Sequence, residues 1–148
     1  MSRIALPHRS RSTVKISLER VHFMPKLLQP GILYVSEEFE TAAHLCPCGC
    51  GEKIRTPLGP TEWKFTQGRN GPSLSPSVGN WHLPCRTHYW IRDGRVVWAK
   101  HWTEEQVRAG RLREAQRRAE YFYSLNRSGP RGMVARVIEW VRRMIALK

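Results

Sequence analysis

The chain has a single aspartate, Asp93, and only 12 acidic residues in all against 25 Lys and Arg. With Asp93 assigned to a turn, a Ser-His-Asp arrangement has no aspartate left to orient its histidine. No segment approaches the roughly 20 consecutive apolar residues of a membrane span. The N-terminus carries Arg3, Arg9 and Arg11 but no apolar stretch of signal-peptide length. A cytoplasmic protein with reduced thiols is the expectation. Internal repeats and low-complexity tracts are missing too, and 148 residues fit one domain with extensions rather than two full domains.

What is present is a modest core and a great deal of punctuation. Hydrophobic residues make up 41%, with ten prolines, eleven glycines and six tryptophans, which fits a small, turn-rich unit that needs a staple besides apolar burial. The net charge of +13 is concentrated at the ends. Residues 1–29 hold six basic groups and one acid, residues 30–100 eight and six, and residues 101–148 eleven and five. Such flanks suit nucleic acid, an acidic protein or an anionic surface, or form a merely solvated basic face.

Residues 1–13, rich in Arg and Ser and without periodicity, are expected to be loosely held. Strands are expected at 31–36, 53–55 and 63–66, with a short helical turn over 37–43. The firmest local expectation is a hairpin. Residues 87–92 and 95–99 alternate apolar and polar around Asp93-Gly94, and Asp-Gly suits a type I′ turn whose central residues both need positive φ. Past Trp102 the pattern is helical. Thr103 and Gln106 have capping-box spacing, and the helix is expected to reach about residue 125. After the breaker Ser128-Gly129-Pro130, a second helix is expected over 133–147, because Val134, Val137, Ile138, Val141, Met144 and Ile145 recur at helical spacing. That stripe favours a helix packed on its own domain or a sister subunit over a membrane-surface helix.

Three of the four cysteines, Cys46, Cys48 and Cys50, lie within five residues, too close for a disulfide framework. In Cys-Pro-Cys-Gly-Cys-Gly the glycines permit positive φ, so several sulfurs can point inward. Cys85 and His88 supply a second pair of ligands further along the chain. A knuckle clamped to a distant pair is the logic of a zinc site. Five candidates compete for four places. Alternation along an extended flank sends Cys85 and Thr87 one way and Arg86 and His88 the other, which favours four cysteines without excluding His88. A structural zinc is preferred to a catalytic one, since His-Glu-x-x-His and a His-x-Glu partner for Pro84-Cys85 are both missing.

Residues 73–81, Ser-Leu-Ser-Pro-Ser-Val-Gly-Asn-Trp, are stiffened by Pro72 and Pro76. Ser77 stands eight residues before Cys85, close enough in sequence to reach the metal site and His88. A serine needs a base to become a nucleophile, and histidine is the commonest. The orienting group for such a histidine would be Glu52, Glu62, Asn80 or a backbone carbonyl. The plainer reading has these serines capping turns. His44 is a candidate to support the knuckle or to substitute as base; His82 lies in the loop before Cys85, and His8, His22 and His101 are peripheral. Trp63, Trp81, Trp90 and Trp98 are read as core and site walls.

Taken together, HLCPCGCGEKIRTPL, Trp63, LSPSVGNW, CRTHYWI and RVVWA resemble a bacterial family of zinc-containing serine peptidases found alongside ubiquitin-like conjugation machinery. The resemblance covers about residues 30–100. It implies Ser77 as nucleophile, His88 as general base, and Cys46, Cys48, Cys50 and Cys85 as zinc ligands. The implied substrate is the C-terminus of a ubiquitin-like protein, with ubiquitin-activating and ubiquitin-conjugating enzyme homologues as further partners. The alternative is a non-enzymatic zinc module whose basic flanks bind nucleic acid or an acidic partner. The expected fold is α+β: a small zinc-stapled, mainly-β core of short strands and hairpins, then two C-terminal helices. The expected division is a basic N-terminal extension at 1–29, the core at 30–102 and a helical segment at 103–148.

Overall fold

A computed structural model describes residues 14–146. The expectation of a loosely held segment over 1–13, and the last position of the expected second helix, Leu147, fall outside the described residues. The chain divides into two compact units between His101 and Trp102, and each is taken by itself. The protein is α+β, with eight strands in two sheets followed by two helices.

The first sheet contains β1 (Ser17–Arg20), β2 (Ile32–Ser36), β3 (Thr41–Leu45) and β4 (Lys53–Pro57) in sequence order. β1 runs parallel to β2, and the other pairs are antiparallel. The second sheet contains β5 (Lys64–Gly68), β6 (Gly71–Gly79), β7 (His88–Arg92) and β8 (Arg95–Trp98), antiparallel throughout. One apolar core joins the two sheets: Leu33, Val35 and Ile54 of the first pack with Leu74, Tyr89 and Ile91 of the second. A smaller cluster of Leu28, Tyr34 and Ala43 has Val21 and Met24 packed against it. β2, expected at 31–36, and β3 are buried almost along their whole length, which in β3 erases the alternation that would have advertised it as a strand.

β3 corrects the sequence reading of 37–43. Glu37 to Glu40 make a turn, with the Glu40 N–H donating to the Glu37 carbonyl, and the chain then runs extended from Thr41. Glu and Ala favour helix, but pairing to strands on both sides outweighs that preference. β1 had no signal in the sequence. Just before it, the Ile16 N–H donates to the Gly94 carbonyl and the Val14 carbonyl accepts from the Val96 N–H. The chain thus borders β8 of one sheet before pairing with β2 of the other.

The β7/β8 hairpin forms as expected, with Asp93 at φ 46° and Gly94 at φ 71°. Gly94 is required twice over. A Cβ there would sit 2.6 Å from the Asn70 carbonyl oxygen and 3.1 Å from that of Ile16.

In the second unit, α1 (Glu104–Ser128) opens on a complete capping box: the Gln106 N–H donates to Thr103 Oγ1, and the Thr103 N–H donates to Gln106 Oε1. Gly110 is tolerated because its bare Cα leaves room for the Trp102 ring. At Gly129 the backbone turns extended (φ −75°, ψ 170°) and α2 (Pro130–Ala146) begins. It starts a turn earlier than expected because proline suits the first position of a helix, where no N–H is needed.

Leu33 has no exposed surface and lies at the centre of the joint core. Leu33→Ala should lower unfolding free energy by about 3 kcal/mol in urea denaturation, the usual loss for a large aliphatic truncated in a packed interior.

Candidate active site

The loop 80–87 joins β6 to β7, so it connects the strand carrying Ser77 to the strand that begins at His88. It is closed on itself by the Asn80 N–H donating to the Thr87 carbonyl at 2.8 Å, with internal turns from Leu83 to Asn80 and from Arg86 to Leu83. Cys85 sits in this loop. The facing segment, 46–51, links β3 to β4. The Cys46 N–H donates to the Glu52 carbonyl, and Gly49 and Gly51 adopt φ of 85° and 82°. Nothing lies within 4 Å of a Cβ at either glycine, so backbone conformation, not space, demands them.

These two loops bring all four sulfurs together. The Sγ atoms of Cys46, Cys48, Cys50 and Cys85 lie within 4.8 Å of one another, with 3.3 Å from Cys46 to Cys48 and 4.0 Å from Cys46 to Cys85. Tetrahedral thiolate ligation of zinc requires sulfurs about 3.8 Å apart. All four cysteines are free of disulfides. The donor set can hold a metal ion and is compatible with zinc, and His88 is not part of it. Burial pushes the Cys46 thiol up. Burial acts the same way on Cys85, but hydrogen bonds from Thr87, Cys50 and Cys48 outweigh it and bring that thiol down.

A buried polar network backs the cluster. Asn80 Nδ2 donates to Thr87 Oγ1 at 2.9 Å and approaches Cys46 Sγ at 3.7 Å, while Thr87 Oγ1 lies 3.3 Å from the same sulfur. Asn80 also hydrogen-bonds the Tyr89 side chain, whose hydroxyl meets His44 Nε2 at 2.8 Å. His44 is 1% exposed and burial lowers its pKa to about 4, so it is neutral at ordinary pH. It therefore supports the knuckle through Tyr89 rather than standing at the serine. Sequence reasoning considered Asn80 only as a partner for a catalytic histidine and saw no role for Thr87's hydroxyl. Two polar residues bracketing Cys85 were the available signal.

Ser77 lies on a strand, not in a turn-rich loop. β6 pairs Leu74 with Ile91 but Val78 with Tyr89, so two extra residues are accommodated between these points, around Ser75 and Pro76. The bulge resets the register so that Gly79 faces His88. With no side chain directly opposite, the imidazole is free to lean along the ladder, and its Nε2 meets Ser77 Oγ at 2.9 Å. Trp81 and Trp90 flank the ring, with centroids 5.0 and 5.5 Å away. Trp81 packs so closely on Gly79 that a Cβ there would fall 2.4 Å from the indole Nε1.

Burial lowers the pKa of His88, a hydrogen bond to the Lys100 backbone raises it, and nearby His101 lowers it; the net shift is downward. Among the candidate orienting groups, a backbone group, that of Lys100, is one that favours the charged ring. The other histidines differ. His22 pairs with Glu38 at 2.6 Å beside Phe23 and Phe39, and His101 lies against Trp81, ring centroids 6.4 Å apart.

Asn80→Ala should destabilise the fold by about 1–3 kcal/mol in chemical denaturation, because Thr87 and Tyr89 lose a buried partner that water cannot replace. Asn80→Asp tests the same network by charge: a carboxylate beside the sulfurs should destabilise at least as much, and an unchanged midpoint in both variants would remove the network from the account.

No curated protein and no solved structure matches the chain. The family described as Bacterial ubiquitination-like system serine protease (BubE) matches residues 20–99, the span that holds both loops, Ser77 and His88. That match takes in more than half of the 148 residues, and the chain belongs to the BubE family of serine proteases of bacterial ubiquitination-like systems.

Proposed function

We propose that the protein is a serine peptidase acting at the C-terminus of a ubiquitin-like protein, either trimming a precursor or releasing it from a target, with Ser77 as nucleophile and His88 as general base. The observation that carries this reading is the 2.9 Å contact between His88 Nε2 and Ser77 Oγ. The imidazole that accepts from Ser77 at Nε2 is the tautomer that bears its own proton on Nδ1. Oγ adds to the scissile carbonyl carbon as its proton passes to Nε2. The same proton then goes to the leaving amine as the C–N bond breaks, leaving an ester on Ser77. Water, deprotonated by His88, hydrolyses the ester and restores the hydroxyl. Backbone N–H groups around Val78 and Gly79 are the proposed donors to the developing oxyanion.

Cys46, Cys48, Cys50 and Cys85 are the proposed zinc ligands. Zinc bound there supplies four thiolate bonds that fix residues 46–51 to the loop between the Ser77 and His88 strands, a closed structural site. The chain's own part is to deliver four convergent sulfurs and to hold one of them, Cys46, with Thr87 and Asn80. The ubiquitin-like substrate, and activating or conjugating enzyme homologues as partners, rest on the family to which the chain belongs.

Cleavage of a ubiquitin-like protein carrying a C-terminal extension tests the reading. Ser77→Ala and His88→Ala should each lower kcat/KM by about a thousandfold or more while leaving the fold and metal content intact. A Ser77→Ala protein that cleaves as fast as wild type ends the serine mechanism. Salt-sensitive binding of RNA or DNA with no cleavage would instead favour the non-enzymatic module.

The pH profile follows from His88. A base must be neutral, so kcat/KM should fall as pH drops through the histidine's pKa, and that midpoint should lie below the ordinary value because burial disfavours the charged ring. A midpoint above the ordinary histidine value would contradict this assignment. Elemental analysis should find one zinc per chain in wild type and in His88→Ala. Cys85→Ser should lose the metal and melt at a lower temperature.

A further inference from the structure

We propose that α2 is an interfacial helix that lies on an anionic lipid surface, a property independent of the peptidase reading. Met133, Val134, Val137, Val141, Met144 and Ile145 are all 40–70% exposed. At 100° per residue they fall within about 120° of the helix circumference. Ile138 and Trp140, also exposed, widen the apolar arc to about 160°. An arc this broad exceeds the narrow seam of a two-stranded coiled coil.

The charges decide what the face fits. Arg136 and Arg143 project on one side of the arc and Arg142 on the other, so cationic groups border the apolar face along both edges. The one acid of the helix, Glu139, falls in the middle of the polar face, 3.8 Å from Arg143. A second copy of the helix docked on this face would bring arginine edges against arginine edges. A negatively charged lipid surface takes the apolar arc into its acyl boundary and meets both edges with headgroups, while the long arginine stems reach up along the helix. Trp140, at the margin of the arc and 62% exposed, has the amphipathic ring that favours such a boundary. The rest of the unit has the same sign, since residues 101–148 carry eleven basic groups against five acids. The helix has 17 residues and no helix among the described residues is long and apolar enough to cross a membrane, so it rests on the surface rather than spanning it.

The test is co-sedimentation of the full chain with phosphatidylcholine vesicles, with and without phosphatidylglycerol. Binding is expected to the anionic vesicles only, weakening as salt rises. Val137→Glu with Val141→Glu should weaken binding tenfold or more at unchanged far-ultraviolet circular dichroism, since neither residue is buried. Arg142→Glu with Arg143→Glu should weaken it by roughly tenfold on anionic vesicles. The proposal is overturned by equal binding to neutral and anionic vesicles. It is equally overturned if nothing sediments, whether the chain instead self-associates through Val137 and Val141 or binds only an acidic protein.

Discussion

The contact between segment 46–51 and loop 80–87 is the constraint on which the rest of the core depends. The first segment belongs to one sheet and the second to the other, and they meet through sulfur, one hydroxyl and one carboxamide: Cys46 touches Thr87, Asn80 and Cys85. Loop 80–87 is also the only covalent link between the strand of Ser77 and the strand of His88. Whatever fixes this loop to its neighbour fixes the geometry of the serine and the histidine. Apolar packing between the sheets reaches this edge through Cys46, with Leu83 and Cys85 packed against the core. An ion on four sulfurs is well suited to reinforce it there, because a small core leaves its margins poorly defended.

Several features could be read directly because their causes are local. Asp93-Gly94 dictates its turn through φ alone, and Thr103 with Gln106 dictates a helix start through two reciprocal hydrogen bonds. The cysteine spacing likewise announces a metal-competent cluster. Longer-range features left no such trace. β3 looks helical in isolation and becomes a strand only because β2 and β4 are there to pair with it. The bulge in β6 is a mismatch between two strands, and no single residue of Ser75, Pro76 or Ser77 encodes it. The Lys100 backbone raises the pKa of His88, and a backbone group has no side-chain signature.

The two units divide the chain's chemistry. The core combines apolar burial, buried polar contacts and a cluster of soft ligands, and its charge is close to balanced. The helical unit inverts this: the apolar residues of α2 are exposed and its charge is strongly positive. Such a division lets one part of a chain specialise in precise placement of reacting groups while the other addresses a large, imprecise surface. Precision needs close packing. Surface attachment needs only an exposed stripe and charge of the right sign.

The N-terminal segment that borders β8 before joining β2 has a consequence for how the molecule is made. Ile16 finds its partner carbonyl at Gly94, 78 residues later in the chain, and the Val14 carbonyl accepts from the Val96 N–H. During synthesis residues 14–16 must wait for these partners until the last hairpin of the core has emerged. This edge of the core therefore closes late, when the turn at Asp93-Gly94 gives residues 14–16 something to hold. High sequence separation of this kind slows folding, and it makes the completed core a checkpoint that a prematurely terminated chain does not pass.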